Sequence, residues 1–317
     1  MSSAPSPQAS TTRLVHFEEL WFTDGNVVLQ AGDRLFCVYR GFLASLSSVL
    51  SDMFSFPQPS DVECYDGKPL IVFHDPPGEF VHFLKAIFMP TYFLPPPTKT
   101  TFEVLDGVLR LSDKYDVAHL RQRAMHHLST WFGTTVEQYF ADNETATFKL
   151  PGLKGYVAVA SLATQVHAAW ALPQCYYDLT TTSIDEVLRQ GCHVLNGTTR
   201  QLSEADIIAI SNGFRATRRS SPAMRLLEHS DICGDPGCLG SRVRLAMDAA
   251  EDWMVDPLEA REVWMEYMGT FTCPECFEKC SESMRSWEVG FWENLPAAFA
   301  LPPWPELQRM KAADLGG

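Results

Sequence analysis

The apolar positions change period several times between residues 24 and 131. Val27-Val28-Leu29 and Leu35-Phe36-Cys37-Val38-Tyr39 are short apolar runs bounded by Thr23-Asp24-Gly25-Asn26 and Ala31-Gly32-Asp33-Arg34. Two such runs across a short Gly/Asp turn predict a β-hairpin. Phe42, Leu43, Leu46, Val49, Leu50, Met53 and Phe54 then recur at helical spacing. Ser45, Ser47 and Ser48 interrupt them, which predicts two short helices with Ser47 or Ser48 as an internal cap. Pro57 and Pro59 end that pair. Asp66-Gly67 turns into a third strand at Pro69–Phe73. Asp75-Pro76-Pro77 opens a helix with Asp75 as its cap and proline in the first turn. Phe80, Phe83, Leu84, Ile87 and Phe88 form its apolar face. Two more helices follow, one carrying Phe102, Leu105, Val108, Leu109, Ser112 and Tyr115. The other carries Val117, Leu120, Ala124, Leu128 and Trp131.

The pattern thins between Gly133 and Gly155, where Ala141-Asp142-Asn143-Glu144-Thr145 has no periodicity, so a boundary is expected there. Beyond it the chain reads as helical. Val157, Ala160, Leu162, Val166 and Trp170 predict one helix; Ile184, Val187, Leu188, Val194 and Leu195 predict another. Ser203-Glu204-Ala205-Asp206 caps a third. Met224, Leu226 and Leu227 suggest a short one, and Val243–Trp253 a further one. No repeat period emerges.

Composition narrows the classes. The chain has 317 residues, 46% hydrophobic and 20% charged, which is enough apolar material for two globular units. The formal net charge of −14 opposes nucleic acid and anionic membrane as partners. The basic runs Arg121–Arg123 and Arg215–Arg219 are short and read as solvated helix ends. Gly155–Leu172 is too polar and too short to span a bilayer comfortably. Met1–Thr12 has no apolar core segment and reads as a disordered tail without a secretory signal. Nine cysteines without such a signal point to reduced thiols in a cytoplasmic or nuclear compartment. No phosphate-binding glycine loop, nucleophile elbow or paired-carboxylate signature occurs, so no enzymatic activity is expected.

The first domain resembles the BTB/POZ family. Asp24-Gly25-Asn26-Val27-Val28-Leu29 is similar to that family's opening strand. Phe36 to Phe54 is similar to its second strand and first helical hairpin, with Arg40, Leu43, Ser47, Leu50, Met53 and Phe54 in register and Tyr39 where histidine is common. Leu111-Ser112-Asp113-Lys114-Tyr115-Asp116-Val117 resembles a later helix junction. The resemblance covers a little over a third of the chain. It implies an α+β fold: a BTB/POZ-like domain at 15–133, a small mixed sheet with helical hairpins. Around it lie a tail at 1–14, a linker at 134–155 and a mostly helical region at 156–317. It also implies a protein-interaction adaptor that pairs with itself or docks on a cullin-type ubiquitin ligase, the latter through roughly Phe80–Phe93. By that resemblance the self-association surface maps to Phe17, Leu20, Trp21, Phe22, Phe42, Leu46 and Val49. For His16–Phe22 the residues themselves equally suit a strand packing on its own domain. The Trp292, Leu295-Pro296 and Trp304 pattern is similar to the tails of BTB proteins from mushroom-forming fungi. That tail reads either as a docking peptide or, preferably, as aromatics packing back on the second domain.

One motif carries metal chemistry. Cys233 and Cys238 are separated by four residues that include Asp-Pro-Gly, and Cys273 and Cys276 flank Pro274-Glu275. Two cysteine pairs on two tight turns can close a tetrahedral structural Zn site within 233–280. Cys280 and His229 are reserve ligands. Ordinary thiols or a disulfide are the other reading. A transcriptional regulator using this region on DNA is the alternative function. Asp248, Glu251, Asp252, Asp256, Glu259, Glu262 and Glu266 oppose it.

Overall fold

The computed structural model describes residues 13–56, 63–141, 145–181, 192–219, 225–227, 233–248, 256–258 and 260–317. The class is α+β, a small mixed sheet with many helices. The chain divides into two compact units. Within the described residues the first holds 13–95, 103–124 and 196–198, and the second holds the rest.

The first unit is built on a five-stranded sheet of β1 (Val15–Trp21), β2 (Val27–Ala31), β3 (Arg34–Val38), β4 (Cys64–Tyr65) and β5 (Lys68–Phe73), in the order β1-β3-β2-β5-β4. The predicted hairpin is β2–β3, antiparallel with Val27 opposite Val38 and Ala31 opposite Arg34. β1 and β5 flank it in parallel, on β3 and β2 respectively. As an interior strand between β1 and β2, β3 is buried on both faces, which is why Leu35-Phe36-Cys37-Val38 is continuously apolar. Leu35 and Cys37 meet Val28, Trp21, Tyr65 and Leu70 on one side. Phe36 meets Phe80 at 5.6 Å on the other. Gly25 in the turn before β2 has to be glycine, because a Cβ there would lie 2.7 Å from Cys37 Sγ and 3.0 Å from backbone.

The helices α1 (Arg40–Leu46) and α2 (Ser48–Ser55) follow, joined through Ser47. Ser47 caps α2, its Oγ accepting from the Leu50 N–H at 2.9 Å. Asn26 serves α1 from outside, its Oδ1 accepting from the Arg40 N–H at 2.8 Å. Asp24 accepts from the Tyr39 hydroxyl at 2.6 Å, so both polar turn residues have local duties.

Next come α3 (Pro77–Phe88), α4 (Phe102–Lys114) and α5 (Ala118–Ser129), and the chain passes between the units inside α5. Asp75 does not cap α3; the residue before that helix is Pro76, without a side-chain cap. The Asp75 carboxylate is claimed elsewhere. It accepts from Lys114 Nζ and from the Tyr115 hydroxyl, and it is itself buried. The Tyr115 carbonyl in turn accepts from Ser47 Oγ, and Asp116 accepts from Ser48 Oγ at 3.1 Å. Burial, then the bond to Asp75, pushes the Tyr115 hydroxyl pKa far up, so it stays a donor.

The second unit contains α6 (Val136–Phe140), α7 (Gly152–Gln165), a 3-10 turn at Ala169–Ala171 and α8 (Leu172–Thr180). After these come α9 (Glu204–Arg218), α10 (Pro236–Asp248), α11 (Ala260–Phe271), α12 (Pro274–Ala298) and α13 (Trp304–Leu315). The stretch expected as linker holds α6 and buries Ala146 and Phe148. The helix predicted through Val194 and Leu195 is instead a strand there: β6 (Cys192–Leu195) turns at Asn196-Gly197 into β7 (Thr198–Gln201). Asn196 and Gly197 have φ of 53° and 80°, the signature of a tight hairpin turn. Residues 184, 187 and 188 lie outside the described residues, as does Met224, while 225–227 form a short helical turn. Ser203 and Asp206 form a capping box on α9, their reciprocal bonds 3.1 and 2.7 Å. The aromatic tail packs inward. Trp292, Phe299 and Trp304 are buried, Trp292 and Trp304 stack at 5.3 Å, and Trp304 Nε1 donates to the Trp292 carbonyl at 2.6 Å. Among the described residues no helix is long and apolar enough to cross a membrane.

Two substitutions test this packing. Asp75→Ala is expected to destabilise the protein by about 1–3 kcal/mol, because it leaves a buried tyrosine hydroxyl without its acceptor. Lys114→Ala, half-exposed, should cost under about 1 kcal/mol; urea denaturation of both separates the two contributions. In Gly213→Ala, the new Cβ on α9 would lie 1.9 Å from Phe299 Cε1. We expect a net loss of about 1–2 kcal/mol, overpacking outweighing the better helix propensity, read as a lowered melting temperature.

Candidate metal centre

Two helix starts bring the four predicted cysteines together. Asp235 precedes α10 and its Oδ1 accepts from the Gly237 N–H at 2.8 Å, closing the turn that carries Cys233 and Cys238. Cys273 is the N-cap of α12, proline fills the next position, and Cys276 sits in the first turn. Both pairs therefore face the positive end of a helix, where exposed N–H groups favour thiolate over thiol.

The four ligand sulfurs of Cys233, Cys238, Cys273 and Cys276 all lie within 4.8 Å of one another. Cys233 Sγ and Cys276 Sγ are 3.2 Å apart. A tetrahedral site with Zn–S bonds of about 2.3 Å holds its sulfurs about 3.8 Å apart. The cluster is thus compatible with a structural zinc after shifts of a few tenths of an ångström. The four are free cysteines. Backbone support is already in place: the Cys273 N–H donates to Cys238 Sγ at 3.2 Å. The Cys276 N–H is the leading cause that lowers the Cys273 thiol to about 7. Burial, then the neighbouring Cys233 and Cys273, pushes the Cys276 thiol up.

Of the reserve ligands, Cys280 does not join. Cys280 lies one turn further along α12 and is fully buried among Trp264, Met268 and Met284, with Arg242 Nη1 3.9 Å from its sulfur. His229 lies outside the described residues. Of the other cysteines, Cys37 and Cys175 are buried and Cys64 is exposed; the side chain of Cys192 is not among those described. At the level of sequence Asp235 reads only as a turn residue, although an Asp directly before proline is also a helix-start signal.

The predicted interface residues are placed as follows. Leu20, on β1, is fully buried. Phe17 is half-buried against Phe36 at 5.7 Å, Trp21 stacks on His16 at 3.7 Å, and Phe22 packs on Tyr39 and Phe88. Leu46 is half-buried. Phe42 and Val49 stay outside, 46% and 41% exposed, as does Phe56 at 69%. No family model, curated protein or solved structure matches the chain.

Metal analysis of the purified full chain checks the cluster. We expect one Zn per chain, lost in Cys233→Ser or Cys276→Ser together with several degrees of melting temperature. Cys280→Ser should keep its metal.

Proposed function

We propose that this chain is a protein-interaction adaptor whose first unit has the BTB/POZ architecture and whose second unit is fastened by a structural Zn. The observation that carries the reading is the first unit's order of elements. A central hairpin runs into two short helices hinged on Ser47, then into an added parallel strand and three further helices. The residue-level motifs fall on matching elements: Leu43, Leu50 and Phe54 point into the core, and Lys114-Tyr115 closes α4. Of the polar residues that the sequence offers for chemistry in this unit, Asp24 accepts from Tyr39, Asp75 accepts from Lys114 and Tyr115, Asp33 lies in the β2–β3 turn, and His74 is exposed. The unit's outward apolar groups, Phe42 on α1 and Val49 on α2, are the kind of surface that meets another protein.

The Zn reading rests on four sulfurs closing on one point. Cys233, Cys238, Cys273 and Cys276 would hold the ion, and four thiolates leave no open coordination position, so the ion's role is to fix α10 against α12. The chemistry it supplies is cross-linking. A cytosolic or nuclear location fits a protein whose cluster needs reduced thiols. A cullin-type ligase is the docking partner this architecture suggests, through roughly Phe80–Phe93, on α3 and the turns that follow it. The acidic balance speaks against a DNA-binding regulator.

Light scattering at high micromolar concentration tests self-association. The expected result is a dimer that becomes monomeric in a Phe42→Glu, Val49→Glu double variant; a wild-type monomer removes self-association from the proposal. Co-precipitation with a purified cullin tests the ligase docking separately.

A further inference from the structure

The sulfur cluster has an inner and an outer side. Cys238 and Cys276 are buried, 3% and 0% exposed, whereas Cys233 and Cys273 are half-buried and reach solvent. The outer Cys233 is backed by the inner Cys276, their Sγ atoms 3.2 Å apart. That separation is shorter than the edge of about 3.8 Å in a zinc–sulfur tetrahedron. The turn before α10 and the first turn of α12 therefore let this pair draw together. A disulfide places its sulfurs about 2.05 Å apart, so a further closure of about 1.2 Å completes the bond.

The neighbouring sulfurs are held differently. Cys238 Sγ accepts from the Cys273 N–H at 3.2 Å and faces Asp235 Oδ2 at 3.7 Å. Cys280 is fully buried one turn further along α12, with Arg242 Nη1 at 3.9 Å. An outer sulfur that a small oxidant can reach, with an inner one in contact behind it, is the arrangement that turns oxidation into a disulfide and stops it short of the irreversible acids.

Resting on the zinc reading above, we propose that this centre is peroxide-sensitive: Cys233 and Cys276 join as a disulfide, and the four-sulfur hold on the ion is lost. The Cys233 thiolate attacks one oxygen of hydrogen peroxide, the O–O bond breaks, and hydroxide leaves, so Cys233 becomes a sulfenic acid. The Cys276 thiolate then attacks the Cys233 sulfur, the S–O bond breaks, and a second hydroxide leaves. Two electrons have passed from the two sulfurs to the peroxide, which ends as two hydroxide ions. Cys238 and Cys273 remain as a pair, too few to complete a four-sulfur site. The new bond joins residues 43 positions apart, so one tie between the turn before α10 and α12 outlasts the metal. A dithiol reductant reverses the step by exchange.

The test treats the purified, metal-analysed full chain with submillimolar hydrogen peroxide. Metal release is followed with the chromogenic chelator 4-(2-pyridylazo)resorcinol, and disulfides are mapped by mass spectrometry of non-reduced peptides. We expect about one Zn released per disulfide formed, Cys233–Cys276 as the dominant new linkage, and rebinding of metal after dithiothreitol and added zinc. Cys64→Ser, which removes an exposed thiol in the other unit, should release metal at the wild-type rate. The proposal is overturned if the metal stays bound while Cys64 is oxidised, or if Cys64→Ser abolishes release. It is equally overturned if the cluster ends as sulfinic or sulfonic acids, or if the linkage formed leaves out Cys233 or Cys276. A chain that carries no metal at the outset removes the zinc reading and the release step with it; the peptide map still decides the Cys233–Cys276 bond, so the two failures are told apart.

Discussion

A carboxylate taken out of water must find donors, and in the first unit the burial of Asp75 organises everything around it. It sits just after β5, and its partners, Lys114 and Tyr115, close α4. The Tyr115 backbone then receives Ser47, the hinge of the α1–α2 pair. Two segments far apart in the chain, around Ser47 and at Asp75, are thus tied to one short peptide, Lys114–Asp116. Apolar packing of Phe73, Phe80, Phe83 and Tyr115 gives the region its mass, with ring centroids 4.7–6.4 Å apart. Hydrophobic contact does not fix direction; the polar junction does, because each bond works in one geometry only.

Much of this was legible in the residues. The hairpin, the Ser47 break and the Ser203 cap are local rules, in which a side chain answers the backbone a few positions away. The four cysteines were legible for the same reason, since each pair straddles a tight turn. What escaped were assignments decided by distant partners. Asp75-Pro76-Pro77 has the form of a helix start, yet tertiary bonds to residues 114 and 115 outcompeted the local cap. Val194-Leu195 was read with the helical apolar pattern before it, although Asn196-Gly197 is a hairpin signal. The bond from Tyr177 to Asp256 belongs to the same class: the two are 79 positions apart, and no spacing rule joins them.

The two halves of the second unit solve different problems. Around α7, α8 and the end of α12 the chain buries large aromatics, and Gly213 gives way so that the Phe299 ring can lie against α9. The group around Leu245, Trp264, Met268 and Met284 is smaller. A small core leaves little surplus over chain entropy, and small folds commonly add a cross-link. The sulfur cluster stands at the end of that group, where α10 and α12 both begin.

The sheet's two edges have unequal fates. β4, at two residues, offers almost no ladder for a further strand, so growth of the sheet on that side is blocked by brevity alone. β1 is seven residues long, but its outer positions include Glu18 and Glu19, and Glu19 is held by Lys85 at 2.7 Å. A stray chain annealing there would have to bring its own positive charge, which screens out the neutral, amyloid-prone segments that most often poison exposed β-edges.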